Sequence, residues 1–163
     1  MKIGVVSDTH SKSLPKQMMD DFKKVDFIIH AGDFCGWEDY EALAKIKEVK
    51  AVYGNMDTLE IRQRFPRKQI INYQNYQIGL FHGEGPPPTL LEKVKEEFRD
   101  DRVDVIIFGH SHQPFNEKIG KILFFNPGSP NDEIFAPYCS YGILEIFERG
   151  IEGKLIKVKK DHG

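Results

Sequence analysis

With 163 residues, a formal net charge of −2, 40% hydrophobic and 29% charged residues, the chain has the size of one ordinary domain and the composition of a soluble globular one. That balance excludes collagen-like and disordered chains and offers no basic field for phosphate backbones or anionic lipids; no apolar stretch approaches the length of a membrane span. Cys35 and Cys139 are far apart with no C-x-x-C spacing, and the apolar run at the start is too short for a signal-peptide core, so reduced thiols in a cytoplasmic protein are expected.

Residues 3–6 read as a buried strand that stops abruptly at Ser7-Asp8-Thr9-His10. Ser13 is expected to cap a helix with Leu14, Met18, Phe22 and Val25 on its apolar face. A second strand, residues 25–29, ends at Ala31-Gly32-Asp33. A helix over about 37–48, with Tyr40, Leu43 and Ala44 on one face, returns the chain to a short strand at 51–53, which ends at Gly54-Asn55. Strands alternating with helices imply crossover units, parallel pairing and ligands gathered at the strands' carboxyl ends.

After a short helix near 58–64, residues 69–73 and 76–81 flank a Gln74-Asn75 turn and form a hairpin, so the sheet is mixed. Pro86-Pro87-Pro88 opens a helix with Leu90, Leu91, Val94 and Phe98 facing inward, followed by a strand at 103–108 and then by His110 and His112. From Gln113 onward the pattern is β only, at 115–119, 122–125, 141–147 and 151–158, which predicts a second sheet packed on the first. No repeat or linker interrupts the chain, so residues 1–163 are expected to form a single domain.

Six islands carry the chemistry: Asp8-Thr9-His10, Gly32-Asp33, Gly54-Asn55, His82-Gly83, Gly109-His110 and His112. Each follows an apolar run, and four of the six histidines fall in them. A two-metal hydrolase site needs one carboxylate able to bridge two ions, with imidazole and oxygen ligands in unequal sets around it; these residues supply both. The islands contain no thiolate, which argues against a structural zinc site or an iron–sulfur cluster. D-x-H or H-x-H alone is a weak motif, whereas the ordered set is specific.

In that order the set resembles the calcineurin-like metallophosphoesterase superfamily, within its small single-domain phosphodiesterase branch, over residues 8–129. The pattern D-x-H, G-D, G-N-[H]-[DE], H, G-H-x-H is matched by Asp8-Thr9-His10, Gly32-Asp33, Gly54-Asn55-Met56-Asp57, His82 and Gly109-His110-Ser111-His112. The resemblance implies an α/β (α+β) fold of two mixed sheets packed face to face with helices outside, a four-layer αββα sandwich. It implies a first metal held by Asp8, His10, Asp33 and His112 and a second by Asp33, Asn55, His82 and His110, with Asp33 bridging. The implied function is a divalent-metal-dependent phosphodiesterase in which a metal-bridging hydroxide attacks phosphorus, supported by Asn55 and His82. Two divalent ions are expected, Mn²⁺ first, with Ni²⁺, Zn²⁺, Fe²⁺ and Co²⁺ as alternatives.

One position departs from the wider pattern. Met56 stands where many members carry a histidine that protonates the leaving alkoxide, and a thioether donates no proton. Diesters, or esters with acidic leaving groups, are then expected to react better than alkyl monoesters. Small members of the branch also lack that histidine. Asp57 is expected to accept a hydrogen bond from a ligand imidazole. Asn126-Pro127-Gly128-Ser129 resembles a loop near the metals, which makes Asn126, Gly128 and Ser129 candidate substrate contacts through backbone amides. Residues 83–88 read either as a rim limiting substrate size or as a plain Pro-initiated helix start.

His30 reads as a hydrogen-bonded structural residue and His162 as a solvated tail residue. Arg62, Arg64, Arg67 and Lys68 form the densest basic cluster, read as a solvated helix end in preference to an anchor for a phosphorylated substrate or nucleic acid. Phe124, Phe125, Tyr141 and Phe147 read as sheet core or a subunit contact. The expected partner is a small phosphodiester, with no membrane and no nucleic acid, and a homo-oligomer remains open. Two alternatives stand beside the enzyme: a non-catalytic interaction scaffold of the same fold, opposed by the intact ligand set, and a nuclease, opposed by the lack of a basic groove. An amidohydrolase barrel needs about 250 residues and places H-x-H after its first strand, which excludes it.

Overall fold

In the computed structural model, which describes residues 1–160, apolar alternation along ten strands sorts two five-stranded sheets into inner and outer faces. His162 lies outside the described residues. The strands are β1 (Lys2–Val6), β2 (Phe27–His30), β3 (Val49–Ala51), β4 (Lys68–Tyr73), β5 (Tyr76–Phe81), β6 (Val105–Ile107), β7 (Phe115–Ile119), β8 (Ile122–Asn126), β9 (Ser140–Phe147) and β10 (Gly150–Lys157). The helices are α1 (Lys16–Phe22), α2 (Trp37–Ala44), α3 (Leu59–Arg64) and α4 (Pro87–Glu97). None of these helices is long and apolar enough to cross a membrane.

The first sheet has the order β10-β9-β1-β2-β3 and the second β4-β5-β6-β8-β7. The first sheet has its parallel run β1-β2-β3 on one side and antiparallel β9 and β10 on the other, whereas the second has a parallel centre, β5-β6-β8, between antiparallel β4 and β7. Side chains of period two divide the core accordingly. Ile3, Val5, Phe27, Ile29, Leu144 and Ile146 of the first sheet meet Ile71, Ile78, Leu80, Val105, Ile107 and Phe125 of the second. The intervening residues face outward: Val6 and Ile28 pack under Met18 and Phe22 of α1 and Leu43 of α2, and Phe81, Ile106 and Phe124 pack under Leu90 and Val94 of α4. This is the expected αββα sandwich. Two glycines let the helices sit close, since a Cβ at Gly4 would lie 2.7 Å from the Phe22 ring and one at Gly79 2.7 Å from the Phe98 ring.

The C-terminal strands correct the expectation of a separate second sheet. β7 and β8 join the hairpin sheet beside β6, while β9 and β10 return to the first sheet, where β9 pairs antiparallel with β1 from Lys2↔Glu145 to Val5↔Gly142. β1 and β6 are central strands whose second edges need partners, and these later strands supply them.

Two boundaries also move. Ser13 does not cap α1: the N-cap is Pro15 in extended conformation with no side-chain cap, because the residue before a proline is pushed out of the helical region. The second helix ends at Ala44, not near residue 48, and the third strand lies at Val49–Ala51, where Ile28↔Val49 and His30↔Ala51 fix its register on β2. Thr58 caps α3 by accepting from the Ile61 amide.

Candidate metal centre

All six parallel strands run toward one end of the sandwich, where their exit loops meet. β1 delivers Asp8 and His10, β2 delivers Asp33, β3 leads to Asn55, β5 to His82, and β6 to His110 and His112. The turns are abrupt enough to force left-handed backbone on non-glycine residues: φ is 58° at Asp8, 50° at His10, 62° at Asp33, 73° at His110 and 60° at His112. Each such residue costs about 1 kcal/mol or more, and strain of this kind gathers at functional sites. Two glycines of the motifs serve a different need, space. A Cβ at Gly54 would lie 2.1 Å from Asp33 Oδ1, and one at Gly109 would lie 2.0 Å from Ser7 Oγ and 2.6 Å from Asp8 Oδ2.

The structure brings all seven expected ligands together. Asp8 Oδ1 faces three imidazole nitrogens, His10 Nε2 at 3.7 Å, His82 Nε2 at 3.7 Å and His112 Nε2 at 3.4 Å. Asp33 Oδ2 lies 3.8 Å from His10 Nε2 and 3.2 Å from His82 Nε2, so one carboxylate oxygen reaches toward both histidine groups. Asn55 Oδ1 sits 3.1 Å from His82 Nε2 and 3.2 Å from His110 Nδ1. Ligand atoms of Asp8, His10 and His112, and separately of Asp8, Asp33 and His82, lie within 4.8 Å of one another.

The chemistry of this donor set fits divalent cations. Among the described residues, Asp8 Oδ1 is the one buried side-chain oxygen or nitrogen without a hydrogen-bond partner. A fully buried carboxylate oxygen left unpaired is costly, and a cation removes that cost. The imidazoles are also pre-set. His82 Nδ1 donates to Ala31 O at 2.8 Å, leaving Nε2 toward the carboxylates. His110 Nε2 donates to Gly85 O at 2.8 Å, which leaves Nδ1 toward Asn55. His112 Nδ1 donates to Asp132 Oδ2 at 2.5 Å, leaving its Nε2 only 3.1 Å from His10 Nε2. Two ring nitrogens at that separation need a proton or a cation between them.

Without a cation His82 and His112 carry positive charge. Burial opposes ionisation of Asp8, but the imidazoles of His82, His10 and His112 outweigh it and hold the carboxyl well below the usual range. Burial likewise pulls His82 down, and Asp8 and Asp33 overcome it, pushing His82 up to about 9. His112 rises to about 9 against its own desolvation, through Asp8 and Asp132.

The neighbouring residues differ in part from expectation. Among the described residues the Asp57 carboxylate makes no hydrogen bond with an imidazole. Its Oδ2 accepts the amides of Asp33 (2.9 Å) and Gly54 (2.7 Å) and its Oδ1 that of Cys35 (2.8 Å), so it clamps the two loops carrying Asp33 and Asn55. Asn126, Gly128 and Ser129 turn inward: Asn126 Nδ2 donates to Gly109 O, the Gly128 amide donates to Asn126 Oδ1 at 2.9 Å, and Ser129 Oγ donates to Asp8 O at 2.8 Å. These three residues are buried, and the committed Asn126 side chain, Gly128 amide and Ser129 hydroxyl position the Asp8 and Gly109 loops. Residues 83–88 serve both readings, since Gly85 O holds His110 and α4 starts at Pro87.

His30 is buried, accepts the Gly32 amide at Nδ1, lies 3.2 Å from Thr9 Oγ1 and stacks on Phe34 at 3.5 Å; burial lowers it to about 3, and it stays neutral. Sequence reading missed Asp132, which lies far along the chain from its partner His112. It also missed Cys35, whose Sγ is 3.1 Å from His10 Nδ1 and whose thiol burial and nearby carboxylates push up to about 12, so it stays protonated. Phe124, Phe125 and Tyr141 are core, while Phe147 is largely exposed.

Comparison with known proteins agrees with this geometry. Residues 1–149 match the model of the calcineurin-like phosphoesterase superfamily domain. The chain belongs to that superfamily. It is 38% identical to a probable metallophosphoesterase of Methanocaldococcus jannaschii over 98% of this chain and 83% of the relative, and 29% identical to phosphodiesterase YfcE of Escherichia coli over 89% and 88%. Among solved structures it is similar to wild-type Vps29 of Entamoeba histolytica complexed with zinc, with a TM-score of 0.76, 25% identity and coverage of 98% of this chain and 100% of that one. As a superfamily member the protein carries a phosphoesterase-type domain with candidate metal ligands in place.

Proposed function

We propose that this superfamily member is a phosphodiesterase that works with two divalent ions and acts on small diesters. The observation that carries the reading is the unpartnered, fully buried Asp8 Oδ1 facing three imidazoles, with Asp33 Oδ2 reaching both histidine groups. Asp8, His10, Asp33 and His112 would hold one ion, and Asp33, Asn55, His82 and His110 the other. When bound, a pair of such ions supplies Lewis acidity at the phosphoryl oxygens and a nucleophilic water at neutral pH. The chain's own part is to fix ligand tautomers through Ala31 O, Gly85 O and Asp132, and to release the protons of His82 and His112 on loading. Met56 is 59% exposed beside Asn55 and donates only its backbone amide, to Asp33 Oδ1 at 2.8 Å. The leaving oxygen therefore has no proton donor at that position, which favours acidic leaving groups.

The ligand types accept Mn²⁺, Ni²⁺, Zn²⁺, Fe²⁺ or Co²⁺, and Mn²⁺ is our first choice. Hydrolysis of bis-p-nitrophenyl phosphate with each ion added tests the reading. Turnover with Mn²⁺ or Ni²⁺ that vanishes in Asp33→Asn is expected, and no turnover with any divalent ion would refute it. One observation favours a second reading, an interaction module of the same fold: Ile134 and Phe135 are 75% and 81% exposed and hang from Asp132, beside His112. An inert protein with its metal site loaded would select that alternative.

A further inference from the structure

A cleft of about 220 Å³ opens beside the candidate centre and shares Asn55 and His82 with it. Its other walls include Tyr53, Phe81, Arg62 and Arg67, with Glu84 at the margin. The two aromatic faces are covered by the two guanidiniums, Arg62 lying 4.9 Å over Tyr53 and Arg67 4.7 Å over Phe81. An ester arm leaving a phosphorus atom held at Asn55 and His82 therefore meets the guanidiniums and not bare rings.

The two arginines differ in how their charge is met. Arg67 is neutralised: Nη1 is 2.5 Å from Glu97 Oε1, Nη2 is 3.3 Å from Oε2, and Glu84 lies 3.9 Å away. Arg62 makes no ion pair among the described residues. Its Nε donates to Asp57 O and its Nη2 to Asn55 O, both at 3.1 Å. Those carbonyls belong to the loop that presents Asn55, so the guanidinium is fixed relative to a candidate ligand. Its remaining N–H donors are uncommitted. A fixed, unpaired guanidinium fork beside a phosphate site matches a planar carboxylate or a phosphate.

We propose that Arg62 forms a subsite for a second anionic group, carboxylate or phosphate, on the non-leaving arm of the diester. The proposal rests on the phosphodiesterase reading and deepens it by naming a substrate class: diesters with a further negative charge close to the scissile phosphorus. Arg62 is specificity-determining through its charge, Glu84 opposes it at the margin, and Arg67 is a wall.

Three esters with the same leaving group separate the possibilities: phenyl, 4-carboxyphenyl and 4-phosphonophenyl p-nitrophenyl phosphate, each assayed with the Mn²⁺-loaded protein by p-nitrophenolate release. The expected wild-type result is a kcat/KM about 10-fold higher for at least one anionic arm than for the phenyl arm, the low end for a charge-assisted contact because the cleft is open to water. Preference for the carboxylate alone or the phosphonate alone supports the subsite and identifies its ligand. Arg62→Gln should bring the ratio close to one, Arg62→Lys should retain most of it, and Glu84→Gln should raise it. A purely structural role in holding the Asn55 loop would slow all three esters alike. Hydrolysis with no charge preference in the wild type, or a ratio unchanged in Arg62→Gln, overturns the proposal and leaves the phosphodiesterase reading standing. Absence of hydrolysis of all three esters with every divalent ion defeats that reading, and the subsite falls with it.

Discussion

Asp132→Asn tests whether an outlying carboxylate sets the metal-binding form of His112. Asp132 Oδ2 accepts from His112 Nδ1 at 2.5 Å, while Oδ1 accepts the amides of Ile134 at 2.9 Å and Phe135 at 3.0 Å. Asparagine keeps the shape but has one oxygen. If that oxygen stays on the two amides, the new NH₂ faces His112 Nδ1 and can be satisfied only if the ring moves its proton to Nε2, the nitrogen that points at Asp8 Oδ1 from 3.4 Å. If the amide flips, the NH₂ meets two backbone donors and the loop loses its anchor. Either way a charge-assisted hydrogen bond of roughly 1.5–3 kcal/mol is lost from the ligand-competent tautomer. That corresponds to a drop in metal affinity of about 10- to 100-fold, the range found when the partner of a ligand histidine is removed. Calorimetric titration of the metal-free protein with Mn²⁺ reads the affinity, and circular dichroism checks that the fold persists. An affinity within about 3-fold of wild type, with the fold intact, would show that Asp132 does not set the tautomer.

The metal-free protein should lose thermal stability as pH rises from about 6.5 to about 9. His82 and His112 have folded-state pKa values raised to about 9 from 6.5, so their contribution is fully present below the unfolded value and is lost as pH passes through the folded one. Scanning calorimetry in chelator across that window gives the result, and a flat profile would contradict it. Gly109→Ala puts a Cβ 2.0 Å from Ser7 Oγ and 2.6 Å from Asp8 Oδ2 and should destabilise the fold by about 1–3 kcal/mol in urea denaturation while weakening Mn²⁺ binding. Met56→His should raise activity on alkyl monoesters relative to bis-p-nitrophenyl phosphate, read as the ratio of the two kcat/KM values; an unchanged ratio removes Met56 as the source of diester preference.

The candidate ligands were legible because each lies within one to five residues of a strand end. Glycine precedes Asp33, Asn55 and His110 for reasons visible in sequence as a tight turn and in structure as missing space for a Cβ. Partners set by three-dimensional proximity were not legible. Asp132 stands in a loop with no periodic signal and reaches His112 from beyond the β7–β8 hairpin, and Asp57, expected to meet a ligand imidazole, takes backbone amides. Strand order failed for a related reason. Local pattern shows that residues 140–147 form a strand but not that β1, far earlier in the chain, has an edge waiting for it. The arginine cluster divided only in space, with Arg67 paired to Glu97 and Arg62 turned to the loop beside Asn55.

Strain and charge at the centre are balanced by the same groups. Five ligand positions hold left-handed backbone, each at about 1 kcal/mol or more, and the loops carrying them stay fixed because buried carboxylates accept their amides. Asp57 takes three such amides, Asp132 two, and Asp8 Oδ2 takes the His110 amide together with the Ser7 hydroxyl. Asp8 belongs to the first sheet and His110 to the second, so this contact also ties the two sheets at their carboxyl ends. Ligand geometry and the closure of the sandwich are therefore coupled: whatever loosens the Asp8–His110 contact opens the sheets where the donors converge. A cation held between Asp8 and the imidazoles would act on the fold as well as on a substrate, because it would satisfy the one buried side-chain oxygen that lacks a partner among the described residues.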